Sequence, residues 1–145
     1  MLKQFPQMVP SERKKPHIVT LSTDETASSS LASSSLIAWM EASRFQVSRV
    51  LSVREIADVD ARSRCDLIPI FSSENPREAS ATCLEIRELG LSKPIMVYFQ
   101  NETVGDLSSI IATGVVAHFT KTTNLIDIVD TISRVLRSRS LLFRE

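Results

Sequence analysis

The chain has 145 residues, 43% of them apolar, which is enough for one sizeable core and too little for two ordinary domains. Seventeen basic residues balance seventeen acidic ones, so no net field argues for nucleic acid or a membrane surface, and any partner must be recognised locally. The longest apolar runs, such as LIAWM at 36–40, fall well short of the roughly 20 residues a bilayer span needs.

Residues 1–15 hold Pro6 and Pro10, then Arg13, Lys14 and Lys15, with no apolar period. They predict a flexible lead-in without the apolar stretch of a secretory leader. The basic triplet could touch phosphate or anionic lipid, but it is shorter than the blocks that usually mark such sites. HIVTL at 17–21 predicts a strand, and STDET after it supplies capping residues for a helix reaching about Ser43. The serine-rich run SSSLASSSL at 28–36 lies within that helix, where short side chains would let it approach a sheet closely.

FQVSRVLS at 45–52 is again strand-like, and VREIADVDARSR after it repeats Val53, Ile56, Ala57 and Ala61 at helical spacing. CDLIPIF at 65–71 predicts the third strand. In REASATCLEIRELG, residues Ala79, Cys83, Ile86 and Leu89 share a helix face that Gly90 ends. KPIMVYF at 93–99 is nearly all apolar, as a central parallel strand covered on both faces should be. A shorter helix from about Thr103 to Thr113 leads to the fifth strand, VVAHFT. The last helix, NLIDIVDTISRVLRSR, is capped by Asn124 and turns Leu125, Ile128, Val129, Ile132, Val135 and Leu136 inward.

Five strand-helix units predict an α/β fold. It is a doubly wound, five-stranded parallel sheet of flavodoxin-like order 2-1-3-4-5, with helices on both faces and right-handed crossovers. The working end of such a sheet is the carboxyl end of its strands. The three glycines, Gly90, Gly105 and Gly114, form no phosphate-binding loop. Cys65 and Cys83, two widely spaced thiols, suit a reduced cytoplasmic compartment better than a disulfide framework. His17 and His118 have no Cys, Asp or Glu at ligand spacing, so neither predicts a metal site.

In its order of elements, and in DLIPIF, IREL with Gly90, KPIMVYF and GVVAHFTK, the chain resembles the receiver domain of two-component response regulators over about residues 16–138. The resemblance implies a carboxylate that accepts phosphoryl at the end of the third strand and an acidic pair after the first that holds magnesium. It also implies a hydroxyl after the fourth strand and a lysine after the fifth. That chemistry is mostly positioning and charge neutralisation by hard oxygen ligands and a cation.

At those positions this chain carries Phe71 for the acceptor and Ser22 and Thr23 for the acidic pair, with Asp24 and Glu25 displaced toward the loop. The hydroxyl position falls on Phe99, or on Tyr98 if the alignment shifts by one. Lys121 remains, followed by Thr122 where the family has proline. Asp24 and Glu25 fit helix capping better than a metal, and Lys121 would pair with one of them. Ser72 and Ser73 have the place of turn residues rather than phosphate acceptors, and Asp66 opens its strand at the far end of the sheet, suited to surface hydrogen bonding. Phe71 and Phe99 together are expected to fill the former phosphorylation site with apolar surface.

The resemblance therefore implies a pseudo-receiver: a phosphorylation-independent interaction module, not an enzyme, with no cofactor or metal. It would meet a protein partner or an output domain, such as one controlling transcription, or form a homodimer through the fourth helix, fifth strand and fifth helix. No membrane or direct nucleic-acid contact is expected. His118 falls where many receivers carry an aromatic switch residue, and Asp127, Asp130, Arg134 and Arg137 offer either an antiparallel pairing face or intrahelical pairs. A receiver that is phosphorylated through the displaced acids and magnesium is the alternative, and a small α/β enzyme a weaker one. Residues 139–145, with Leu141, Leu142 and Phe143, could extend the last helix, dock on a partner or begin a linker.

Overall fold

The computed structural model describes residues 15–22, 31–72, 76–99 and 107–144, with the side chains of 31–34, 76 and 139–144 left aside. The predicted lead-in thus lies outside the described residues, apart from Lys15. Strands β1 (His17–Ser22), β2 (Gln46–Val50), β3 (Ile68–Ser72), β4 (Ile95–Phe99) and β5 (Ala117–Phe119) alternate with helices α1 (Leu31–Ala42), α2 (Val53–Arg62), α3 (Pro76–Glu88), α4 (Ser108–Ile111) and α5 (Leu125–Arg144). All strand pairs are parallel, in the order β2-β1-β3-β4-β5, which is the predicted sheet.

Side chains of successive strand residues leave opposite faces, and the core divides accordingly. Val19, Leu21, Ile68, Ile70, Ile95, Val97 and Phe99 face α2, α3 and α4, where Ile56, Cys83, Ile86 and Ile110 cover them. Ile18, Leu67, Phe71, Met96 and Tyr98 face α1 and α5, under Leu36, Ile37, Met40, Ile128 and Ile132. Both layers are fully developed, so each helix face has a buried stripe and the sheet is covered on both sides.

Local sequence explains where the elements stop. Ser52 caps α2 reciprocally: its hydroxyl accepts from the Glu55 N–H at 3.3 Å, while the Glu55 carboxylate accepts from the backbone N–H groups of Ser52 and Leu51. Gly90, at φ +85°, ends α3 in the left-handed conformation a side chain would resist. Arg44, at φ +67°, takes the same conformation between α1 and β2 without being glycine.

Several expectations shift at element ends. β3 begins at Ile68, with Leu67 in a single bridge to Ile18, and it runs one residue past the predicted end to include Ser72. Leu89 lies beyond the last turn of α3 and Leu125 is the first residue of α5, and both are exposed because the helix has not reached, or has already left, the sheet there. Ala61 and Ser35 are exposed as well. The described part of α4 is only Ser108–Ile111, and α5 continues through Arg144 past the boundary drawn at Arg139.

At the amino ends of the strands a polar network joins the layers. The Asp66 carboxylate accepts from the His17 N–H at 2.9 Å and its own N–H donates to the His17 carbonyl at 2.7 Å, which ties the openings of β1 and β3. The His17 ring is buried: Nδ1 donates to the Ser63 carbonyl at 2.8 Å, and Nε2 lies 2.8 Å from the Ser48 hydroxyl. Asp60 accepts from the Cys65 N–H at 2.8 Å and meets Lys93 Nζ at 3.6 Å. Arg87 reaches from α3 to four backbone carbonyls. Nη1 donates to Leu91 and Lys93 at 2.9 and 2.7 Å, Nε to Thr113 at 3.1 Å and Nη2 to Gly114 at 3.4 Å.

Candidate functional site

Ser22, Phe71, Ser72 and Phe99 meet at the carboxyl ends of the three central strands, as the sequence predicts, but their register separates the two rings. Phe71 stands opposite Ser22 on one side and Tyr98 on the other, and Ser72 stands opposite Phe99. Side chains alternate, so Phe71 and Tyr98 share the α1/α5 face while Phe99 enters the α2/α3/α4 face. The expectation that Phe71 and Phe99 fill one site together is therefore corrected. The ring that meets Phe71 is Tyr98, at 6.0 Å between centroids and 57° between planes.

Phe71, Phe99 and Ser72 have no exposed surface, and Ser22 retains 8%. The position that the receiver resemblance assigns to the phosphoryl acceptor is thus a phenyl ring in the core, without a nucleophilic oxygen. The Ser72 hydroxyl is closed off from any phosphodonor of the solvent. Tyr98 is 5% exposed, and burial pushes its phenol above the usual range. Thr23, Asp24, Glu25 and Ser73 lie outside the described residues.

Lys121 projects into solvent from the turn after β5, and among the described residues it makes no ion pair. Threonines hold that turn: Thr123 Oγ1 accepts from the Thr120 N–H at 3.1 Å, and the hydroxyls of Thr120 and Thr122 lie 3.0 Å apart. The TKTT repeat at 120–123 was the signal for this closure, and Thr122 belongs to it.

On the β5 side of the sheet, His118 is exposed and pairs in register with Val97. Asp127, Asp130, Arg134 and Arg137 all line the outer side of α5, and Asp130 forms an ion pair with Arg134 one turn along the same helix. That pair has the i, i+4 spacing at which side chains on a helix surface meet. Sequence reasoning missed the apolar component: Ile111 on α4, Val116 before β5 and Ile126 on α5 are all exposed, Ile126 to 78%. Among the described residues no group of three or more His, Cys, Asp or Glu could hold a metal ion. No helix among them is long and apolar enough to cross a membrane.

No protein-family model matches the chain, and no curated protein sequence matches it. Solved structures do. A signal receiver domain of an HD domain-containing protein from Pseudomonas fluorescens Pf-5 superposes with a TM-score of 0.70 at 11% identity, covering 96% of this chain and 99% of that one. The BeF3-activated N-terminal receiver domain of RstA from Klebsiella pneumoniae gives 0.61 at 17% identity, over 83% and 98%. The N-terminal domain of a response regulator/sensory box/GGDEF three-domain protein from Carboxydothermus hydrogenoformans gives 0.64 at 11% identity, over 88% and 98%. Sheet order, helical layers and these superpositions agree that the chain has the flavodoxin-like fold of the receiver domains of response regulators.

Proposed function

We propose that this chain is a pseudo-receiver, a signalling module that works through protein contacts and independently of aspartyl phosphorylation. The observation that carries the reading is Phe71: at the end of β3, where the receiver resemblance calls for a carboxylate, a fully buried ring packs on Tyr98. A phosphoryl group and its magnesium are strongly hydrated charges, and among the described residues the apolar surroundings of Phe71 offer them no carboxylate. The module carries no catalytic residue and requires no cofactor. Its domain spans residues 16–138, and its compartment is the cytoplasm.

The proposed contact face is α4–β5–α5, where exposed Ile111, Val116 and Ile126 lie among His118, Asp127 and Arg137. It serves a protein partner, an output domain such as one that controls transcription, or a second copy. An apolar centre with a polar rim is the composition that association favours. The Asp130–Arg134 pair, already satisfied within its helix, belongs to the rim.

Incubation with magnesium and acetyl phosphate, followed by intact-mass measurement, tests the reading. The mass stays unchanged, and beryllofluoride leaves the amide resonances around Lys121 in place. A stoichiometric phosphoryl adduct would overturn the proposal in favour of the displaced-acid receiver.

A further inference from the structure

The sheet ends on its other side at β2, which has β1 on one edge and, among the described residues, no strand on the other. The Gln46 N–H donates to the Pro16 carbonyl at 2.9 Å, so Gln46, Ser48 and Val50 direct their backbone groups toward β1. Val47 and Arg49 then direct theirs outward, away from the sheet. Leu51 follows with 76% of its surface exposed, although its own N–H is held by Glu55.

Three arginines frame this edge at five-residue intervals: Arg44 before the strand, Arg49 within it and Arg54 in the first turn of α2. All three are exposed, and none forms an ion pair among the described residues. The nearest acid beyond the strand, Glu55, has its carboxylate engaged in the α2 cap, while Glu41 and Asp58 lie on the flanking helices. Arg44 moreover holds a left-handed backbone where glycine would be relaxed.

We infer that the β2 edge receives an extended acidic segment of a partner protein, which pairs with the outward N–H and C=O groups of Val47 and Arg49 and aligns its carboxylates with Arg44, Arg49 and Arg54. The cations select the occupant. A neutral strand gains nothing from them, and a second copy of β2 would bring arginine against arginine, the usual means by which edges repel their own kind. An acidic strand gains main-chain hydrogen bonds and charge complementarity together. This surface lies across the sheet from α4–β5–α5 and does not depend on how Phe71 is read.

Titration of the 15N-labelled full chain with a capped peptide of alternating Glu and Val, about six residues long, tests the inference. The amides of Val47 and Arg49 shift and gain protection from hydrogen exchange, whereas the Lys–Val counterpart leaves them unchanged. Arg49→Glu and Arg54→Glu, both at exposed positions, each weaken binding about tenfold. Equal binding of both peptides, or Arg49→Glu binding as the natural chain does, would overturn the inference. So would concentration-dependent protection of the two amides without peptide, which would assign the edge to a second copy. An oligonucleotide that perturbs the arginines and leaves the Glu–Val peptide without effect would overturn it as well.

Discussion

At the amino ends of the strands, His17, Asp66, Asp60, Lys93 and Arg87 join β1, β3 and the loops around them with hydrogen bonds. At the carboxyl ends, where open α/β sheets carry out their chemistry, Phe71, Tyr98 and Phe99 close the central strands with rings. Among the described residues, the hydrogen-bonded side chains of the central strands are thus concentrated at the pole that fixes strand register. The comparison teaches that the two poles of one sheet are held by different means, hydrogen bonds at one and packed rings at the other.

Breaking the apolar pole should have the largest effect. Phe71→Asp removes a ring with no exposed surface and places a carboxylate beside Tyr98, so the unfolding free energy measured by urea titration should fall by about 4 kcal/mol or more. It should not restore phosphorylation by itself, since Ser22, Thr23 and Phe99 remain where the receiver resemblance calls for acids and a hydroxyl. A folded, phosphorylatable variant would show that the pole tolerates charge and that the contrast is false.

The polar pole should yield next at Arg87. Arg87→Ala leaves the carbonyls of Leu91, Lys93, Thr113 and Gly114 without their guanidinium donor, at a cost of about 2 kcal/mol in the same measurement. Arg87→Lys should recover little, because a compact ammonium cannot span acceptors in two loops. Full rescue by lysine would make charge, not the fork of donors, the relevant property.

Asp60 sharpens the comparison through pH. Burial opposes its charge, but the Cys65 N–H and the Lys93 ammonium more than offset it, and its pKa lies below the ordinary 3.8. The folded chain therefore binds that proton less readily than the unfolded chain. Its stabilising contribution is full above about pH 4 and is lost as pH falls through the folded value. Asp60→Asn keeps an acceptor for Cys65 and should be less stable than the natural chain at neutral pH by under about 1 kcal/mol, the two converging in acid. A difference that persists in acid would place the effect outside the ion pair. Smallest of all, Arg134→Ala should leave the thermal midpoint unmoved, since the Asp130 pair is exposed.

The sheet was legible because its signals are local and redundant. β1, β3 and β4 are apolar runs bounded by polar turns, Gly90 stops α3 as read, and Ile128 and Ile132 mark the inner face of α5. Less legible was anything that depends on pairing parity. Phe71 and Phe99 are both strand-end phenylalanines in sequence, and only the register that sets Phe71 beside Tyr98 sends them to opposite faces. Arg87 and His17 were hidden for a related reason. Their partners are brought together by the fold, at separations of up to 49 residues, where no short motif reports them. The end of α5 was obscured by Arg139 and Ser140, which interrupt the apolar period although the backbone continues to Arg144.

The sheet also tapers. β3 and β4 align over five residue pairs, from Ile68–Ile95 to Ser72–Phe99, whereas β5 meets β4 only at Ala117, His118 and Phe119. Of those three β5 residues, Phe119 alone is buried. Fewer cooperative hydrogen bonds and less buried area give that margin a smaller free energy of local opening than the centre. Native-state exchange should therefore proceed inward from β5, with its amides released by sub-global fluctuations while those of β3 wait for global unfolding. The proposed contact face would then lie on the most easily opened unit of the molecule, where a bound partner slows exchange most.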